Sequence, residues 1–208
     1  MDIKTNTPPF TSEVRDKVPI AIIDDEVFAY ETLLRDHSYN IKLFNDIDDV
    51  RNLEAFPIIL CDIKGVGKRF QSKYEGAHLI KEIKSYYPYK IIYAYTAHQL
   101  DASFNKYFQI ADQTLKKDID LEEWIKYLDE ALKMVIDPSF LWSRLRKRLL
   151  KEDISICDVM KLEDQFVSFI KQKKPEFPDK TYSTNLPDKA KILLTGFAET
   201  IKLFKSVL

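Results

Sequence analysis

The chain has 208 residues, of which 45% are hydrophobic and 31% charged, a composition typical of a soluble globular protein with one ordinary domain and a smaller partner. No run approaches the roughly 18 apolar residues that a membrane-spanning helix needs, and the N-terminal MDIKTNTPPF lacks the apolar core of a signal peptide. Cys61 and Cys157 lie far apart, and we expect two buried free thiols. These features predict a cytoplasmic protein without membrane association.

The net charge of -1 is unevenly distributed along the chain. Residues 1–137 carry 18 Lys and Arg against 24 Asp and Glu, a net charge of -6. Residues 138–208 carry 14 against 9, a net charge of +5. A basic C-terminal segment is able to attract an acidic partner, nucleic acid or the acidic region that precedes it, and it equally fits an ordinary solvated helix face.

We expect residues 1–17 to be a flexible tail. After them, short apolar runs alternate with amphipathic stretches. The runs predict strands at residues 18–23, 41–44, 58–61, 90–95 and 110–115. The first, third and fourth runs are almost continuously apolar, which is typical of strands buried on both faces of a parallel sheet. Helical stripes of apolar residues lie at 26–37, 75–86 and 121–135.

This alternation predicts an α/β domain over residues 18–136, with a five-stranded parallel sheet enclosed by five helices. A small all-α module is predicted over residues 138–208. Pro138 is well placed in the first turn of a new helix, and further helices are expected after Ser155 and after Pro187. Residues 173–187 contain three prolines without periodicity and predict a loop.

Polar side chains follow four of the five predicted strands, where ligands bind in open parallel sheets. They are Asp24 and Asp25, Asp62, Thr96, which Ala97 follows, and Lys116 and Lys117. Three carboxylates repel one another and need a cation, and their oxygens favour a hard ion such as Mg²⁺. Beside such an ion, a carboxylate is able to attack phosphorus while a hydroxyl and an ammonium bind the transferred group.

The pattern resembles the receiver domain of two-component response regulators over about residues 18–135. The resemblance rests on IIDDE at 22–26, IILCDIKG at 58–65, YAYTA at 93–97 and ADQTLKKD at 111–118. It implies a flavodoxin-like sheet with strand order 2-1-3-4-5. It also implies that a sensor histidine kinase or a phosphotransfer protein is the partner that phosphorylates Asp62.

The same resemblance assigns the remaining roles at the site. The implied Mg²⁺ ligands are the side chains of Asp24, Asp25 and Asp62 and the backbone carbonyl of Lys64. The implied phosphate-binding residues are Thr96, Ala97 and Lys117, with Lys117 preferred to Lys116 because of its spacing from Thr96. We expect no enzymatic activity beyond self-phosphorylation and autodephosphorylation, because Lys64 stands where hydrolase-type phosphatases need a second carboxylate.

Three departures from the receiver pattern leave alternatives open. Asp118 replaces the usual proline after the lysine, and Thr114 replaces the usual aromatic switch residue. The loop after Asp62 is also longer than usual and basic. The missing aromatic at position 114 and the long loop at 63–75 allow a pseudo-receiver, a scaffold that keeps the fold without being phosphorylated.

The helical module is expected to contact an unknown protein target, and homodimerisation is possible. The alternative is nucleic-acid binding through its densest basic cluster, for which a solvated helix face is the competing interpretation. The cluster consists of Arg144, Arg146, Lys147 and Arg148.

Overall fold

The computed structural model describes residues 9–97, 109–152, 154–171, 176–178 and 186–205, and five strands of this part form one parallel sheet. They are β1 (Ile20–Ile23), β2 (Ile41–Phe44), β3 (Ile58–Asp62), β4 (Ile91–Thr96) and β5 (Gln113–Lys116). The order is β2-β1-β3-β4-β5, which confirms the predicted fold. β1, β3 and β4 are buried along their whole length, as their apolar sequences predicted.

Helices cover both faces of the sheet. Those of the described receiver-like region are α1 (Ser12–Lys17), α2 (Glu31–Asp36), α3 (Glu75–Tyr86) and α4 (Leu121–Val135), with 3₁₀ turns at Val50–Leu53 and Lys68–Phe70. α3 and α4 have the predicted bounds. α4 begins where the Asp120 carboxylate accepts the backbone N–H of Glu123 at 2.8 Å. The helix expected between β4 and β5 falls outside the described residues.

The prediction of a flexible tail is wrong for residues 12–17, which form α1. Val14 is fully buried, and the Arg15 guanidinium donates to both carboxylate oxygens of Asp129 in α4, at 2.9 and 2.7 Å. The Tyr39 hydroxyl donates to the same carboxylate at 2.6 Å. These long-range contacts stabilise a helix that is too short to show a period in its sequence.

The helix predicted at residues 26–37 begins later, at Glu31. Val27, which the predicted stripe would have buried, is 90% exposed. The backbone N–H of Glu26 donates to Asp24 Oδ1 at 3.0 Å, so the chain after β1 forms a turn around that carboxylate instead of a helix.

Within the described residues, three helices follow α4 and belong to the C-terminal module: α5 (Pro138–Lys151), α6 (Ile156–Ile170) and α7 (Asp188–Lys205). The predicted start at Pro138 is confirmed, and the Asp137 carboxylate caps α5 by accepting the N–H of Ser139 at 2.9 Å. Residues 176–178 and 186–187 are not helical, as the predicted loop requires, and residues 179–185 lie outside the described part.

An aromatic cluster forms the centre of the module and joins it to the sheet domain. Trp142 stacks on Phe166 with ring centroids 5.2 Å apart, and Phe197 of α7 packs against Phe166 at 5.3 Å. Phe197 also contacts Tyr89, which precedes β4, at 5.2 Å. The buried apolar residues of the module therefore belong to the same core as those of the sheet.

Polar contacts fix the module at the amino-terminal ends of β4 and β5. Arg144 of α5 donates to the carbonyl of Pro88 at 3.1 Å and forms a 2.7 Å salt bridge with Asp112. Asp112 also accepts the N–H of Ile92 at 2.7 Å. None of the helices in the described ranges is long and apolar enough to cross a membrane.

Candidate functional site

Three carboxylates meet at the carboxyl ends of β1 and β3. Asp24 and Asp25 directly follow β1, and Asp62 is the last residue of β3. Each offers an oxygen that lies within 4.8 Å of the others. Asp24 and Asp62 are each only 5% exposed, whereas Asp25 is exposed. The parallel pairing of β1 with β3 brings these residues together, because it aligns the ends of the two strands.

Lys117 provides the positive charge at this edge. Its backbone N–H donates to the carbonyl of Thr96 at 3.1 Å, which extends the pairing of β5 with β4 and directs the residue to the site. Its Nζ lies 2.6 Å from Asp62 Oδ2 and 3.0 Å from Asp24 Oδ2. The lysine that the sequence spacing favoured is therefore the one that reaches the carboxylates.

Burial and charge act against each other on this ion pair. Burial raises the pKa of Asp62, the ammonium of Lys117 opposes that rise, and the neighbouring charge of Asp24 adds to it. Burial disfavours the charged form of Lys117, but hydrogen bonds and charge from Asp62 and Asp24 outweigh it and raise the pKa of the ammonium. Lys117 therefore stays charged at neutral pH.

The strand order and the position of the acids identify the fold. In flavodoxin-like sheets with this order, ligands bind at the carboxyl ends of β1 and β3, where the strand order reverses. Asp24, Asp25 and Asp62 lie at that point. The sheet domain has the receiver fold.

Solved structures that resemble the chain include receiver domains of response regulators. A CheY-like response regulator receiver domain protein from Methanospirillum hungatei is 17% identical, covers 55% of this chain and 93% of its own, and gives a TM-score of 0.47. The receiver domain of NtrX from Brucella abortus is 21% identical over 55% of this chain and 98% of its own, with a TM-score of 0.46.

A two-component response regulator from Clostridium difficile is 20% identical over 56% of this chain and 96% of its own, with a TM-score of 0.46. No protein-family model and no curated protein sequence matches the chain.

The edge of the sheet that carries Asp24, Asp25 and Asp62 is the receiver's acidic edge. A cleft of about 160 Å³ opens over it. The cleft is lined by Asp25, Glu26, Asp62, Lys64, Gly65, Ala97 and Lys117. Thr96 lies beside it, 5% exposed at the end of β4.

The donor set of the receiver site fits a hard divalent cation. Its groups are carboxylate oxygens, which Mg²⁺ prefers to nitrogen or sulfur, and they converge within one ion's reach. Lys64 lies at the mouth of the cleft with an exposed side chain, and the ligand role of its backbone carbonyl stays a prediction.

Glycines allow the loop after β3 to approach the carboxylates. Gly65 has φ 80°, and a Cβ at this residue would overlap the Asp25 carboxylate. Its N–H donates to Glu75 Oε2 at 2.8 Å. At Gly76, a Cβ would overlap the backbone carbonyl of Asp62, so α3 is able to begin behind the end of β3 only because this residue lacks a side chain.

A lysine of this loop already contacts the acidic edge. Lys68 Nζ lies 3.2 Å from Asp25 Oδ2 in a partly exposed salt bridge. Two ammonium groups, those of Lys68 and Lys117, thus face three carboxylates. A divalent ion that used Asp25 would have to compete with Lys68 for it.

Tyr95 belongs to the site, although this role was not predicted from the sequence. Its hydroxyl donates to Asp24 Oδ2 at 2.7 Å from the fully buried interior of β4. The ring meets Phe28 and Trp124 edge to face, with centroids 6.0 and 5.9 Å apart. A tyrosine inside a buried strand needs a partner for its hydroxyl, and this need was the signal in the sequence.

The basic cluster of α5 is largely neutralised within the chain. Arg144 pairs with Asp112, as described above, and Arg146 lies 3.6 Å from Glu163. Arg148 lies 2.8 Å from Glu152. Lys147 is exposed. The arrangement therefore gives no specific support to nucleic-acid binding, because three of the four cations have acidic partners.

Proposed function

We propose that the chain is a response regulator in which Asp62 accepts a phosphoryl group and the C-terminal module contacts a protein target. The observation that carries the proposal is the meeting of three carboxylates with Lys117 Nζ, 2.6 Å from Asp62, at the carboxyl edge of a receiver-type sheet. The donor is a phosphohistidine of a sensor histidine kinase or of a phosphotransfer protein.

The residues of the site have different roles in phosphoryl transfer. A carboxylate oxygen of Asp62 attacks phosphorus, the P–N bond of the donor breaks, and the imidazole leaves. Mg²⁺ held by Asp24, Asp25 and Asp62 supplies charge neutralisation for the phosphoryl oxygens.

As the Asp62 oxygen becomes part of an acyl phosphate, Lys117 exchanges its carboxylate partner for a phosphoryl oxygen. Thr96 and the backbone at Ala97 bind the phosphoryl group once it is attached to Asp62. Their arrangement therefore depends on phosphorylation. The only chemistry in this proposal is the protein's own phosphorylation and dephosphorylation.

Exposed apolar side chains on α6 support a protein-interaction role for the module. Ile156 and Met160, one helical turn apart, are 64% and 58% exposed, and Cys157 beside them is an exposed free thiol. Leu150, near the end of α5, is 37% exposed. A second copy of the chain is another candidate partner for this surface.

Both thiols were predicted to be buried. Cys61 is buried as predicted, but the prediction is wrong for Cys157, which is exposed.

The test of phosphorylation compares Asp62→Asn with Asp118→Asn. Both substitutions remove one carboxylate near Lys117, but Asp118 is exposed and outside the carboxylate cluster. Incubation with a small phosphodonor and Mg²⁺ should add one phosphoryl group to the wild type and to Asp118→Asn, but none to Asp62→Asn, by intact-protein mass spectrometry. Beryllofluoride binding should follow the same pattern. Equal responses in all three proteins would remove Asp62 from its role.

A phosphorylation-independent pseudo-receiver is the second candidate, and the salt bridge between Lys68 and Asp25 favours it. In that case the two lysines are the permanent counter-ions of the acidic edge. The wild type would then bind neither Mg²⁺ nor beryllofluoride and would remain unmodified by small phosphodonors.

A further inference from the structure

The hydrogen bond between Tyr95 and Asp24 joins the receiver's interior to its acidic edge. Asp24 Oδ2 accepts the Tyr95 hydroxyl at 2.7 Å, while Oδ1 accepts the N–H of Glu26 at 3.0 Å. Lys117 Nζ approaches the carboxylate from the cleft side. Donors on several sides therefore determine how the Asp24 carboxylate is turned.

The Tyr95 ring is itself fixed by its neighbours. Phe28 and Trp124 pack against it edge to face, and Phe28 and Trp124 lie 5.3 Å apart in the same manner. Lys117 Nζ lies 5.3 Å from the centroid of the ring.

We propose that Tyr95 is a positioning residue for the metal site: it holds the Asp24 carboxylate in the orientation that binds Mg²⁺ and ties that orientation to the packing of α4 through Trp124. The inference rests on the proposed function, because it assumes that Asp24 serves the ion. Groups that orient a metal-binding side chain without touching the metal contribute to affinity by limiting the ligand's alternatives.

Tyr93 provides a matched comparison on the same strand. It is two residues before Tyr95, so the two side chains leave the same face of β4, and it is buried to 2% exposure. Its surroundings include Glu130 and Asp112, which lie outside the metal-binding cluster. Tyr93→Phe and Tyr95→Phe therefore delete the same atom from similar depths, but only Tyr95→Phe changes Asp24.

The experiment measures Mg²⁺ affinity in a Trp142→Phe background, where Trp124 is the single tryptophan of the chain. Mg²⁺ is titrated while Trp124 emission is recorded, and the rise in melting temperature with Mg²⁺ gives the affinity independently of emission. Tyr95→Phe should weaken Mg²⁺ binding by about tenfold or more, as loss of an orienting partner typically does, whereas Tyr93→Phe should change it by less than about twofold.

Each outcome decides a different point. If the wild type and both variants bind Mg²⁺ equally well, the role of Tyr95 is refuted and the proposed function stands. If the wild type shows no response to Mg²⁺, the metal-dependent function itself is refuted, and the role of Tyr95 with it. Equal weakening by Tyr93→Phe and Tyr95→Phe would show a general effect of packing and would also refute the inference.

Phe28→Leu keeps the proposal testable should Tyr95→Phe not fold. This substitution retains the Tyr95 hydroxyl and removes one of the rings that fix it. It should weaken Mg²⁺ binding by a smaller factor, about threefold, because the donor remains but is less well oriented. Unchanged affinity in Phe28→Leu would contradict the role proposed for Tyr95.

Discussion

Replacing Phe197 with alanine should destabilise the receiver and the module together. The Phe197 ring is fully buried and touches Tyr89 of the sheet domain at 5.2 Å and Phe166 of the module at 5.3 Å. Removing a buried phenylalanine costs about 3–5 kcal/mol, and we expect about 4 kcal/mol here because aromatic neighbours leave little freedom to close the cavity. With a urea slope of about 2 kcal/mol/M, the midpoint falls by about 2 M.

The two tryptophans of the chain make the assay specific for each part. Trp124 lies in α4 of the receiver and Trp142 in α5 of the module. Urea unfolding is followed by emission in two backgrounds, Trp142→Phe for the receiver signal and Trp124→Phe for the module signal. Because one apolar core spans both parts, Phe197→Ala should shift both transitions by the same free energy of unfolding.

The control is Ile192→Ala in the same helix, whose side chain is 50% exposed and which should cost less than about 0.5 kcal/mol. A module that unfolds at lower urea while the Trp124 signal keeps its midpoint would refute the reasoning. It would show that the helices are a separate unit that rests on the receiver.

Two further predictions concern the loop after β3 and a buried lysine. Gly65→Ala should weaken Mg²⁺ binding by about tenfold or more, because the added Cβ would displace the Asp25 carboxylate. The affinity is measured by calorimetry, and an unchanged value would exclude Asp25 as a ligand. Burial lowers the pKa of Lys90 from 10.5 in the unfolded chain to about 7 in the folded chain. Between pH 7 and about 10.5 the unfolded chain therefore binds a proton that the folded chain does not, so the free energy of unfolding rises with pH. From pH 7 to 9 the wild type should gain about 2 kcal/mol more than Lys90→Met in urea unfolding, and parallel profiles would contradict this assignment.

The sheet and much of its acidic edge were predictable because strongly local signals specify them. Continuous apolar runs identified the three central strands, and the polar residues directly after those runs were the ones that the structure brings together. Asp24, Asp25 and Asp62 needed only the rule that parallel strands share a carboxyl edge. Lys117 followed from its spacing, because the register of β5 with β4 pairs Lys116 with Thr96 and leaves the next residue to turn over the site.

Features that depend on distant partners were missed or misplaced. α1 is stabilised by Asp129, more than a hundred residues away, so its six residues showed no pattern of their own. The start of α2 is determined by the Asp24 carboxylate, which competes for the backbone N–H of Glu26. Tyr95 was counted only as a residue of an apolar strand, because its role depends on a hydroxyl that reaches Asp24, directly after β1. The site at which the module docks likewise depends on pairings, such as that of Arg144 with Asp112, that no local period encodes.

β4 has the acidic edge at one end and the module at the other. From Tyr89 to Thr96 the chain advances seven residues, about 23 Å in extended form, and Phe197 packs against the first of these while Lys117 bonds to the carbonyl of the last. In the function proposed above, the phosphodonor would therefore approach the end of β4 opposite the one against which the module packs. A target bound to the far side of the module would not collide with that phosphodonor, so phosphorylation would not require the target to be released.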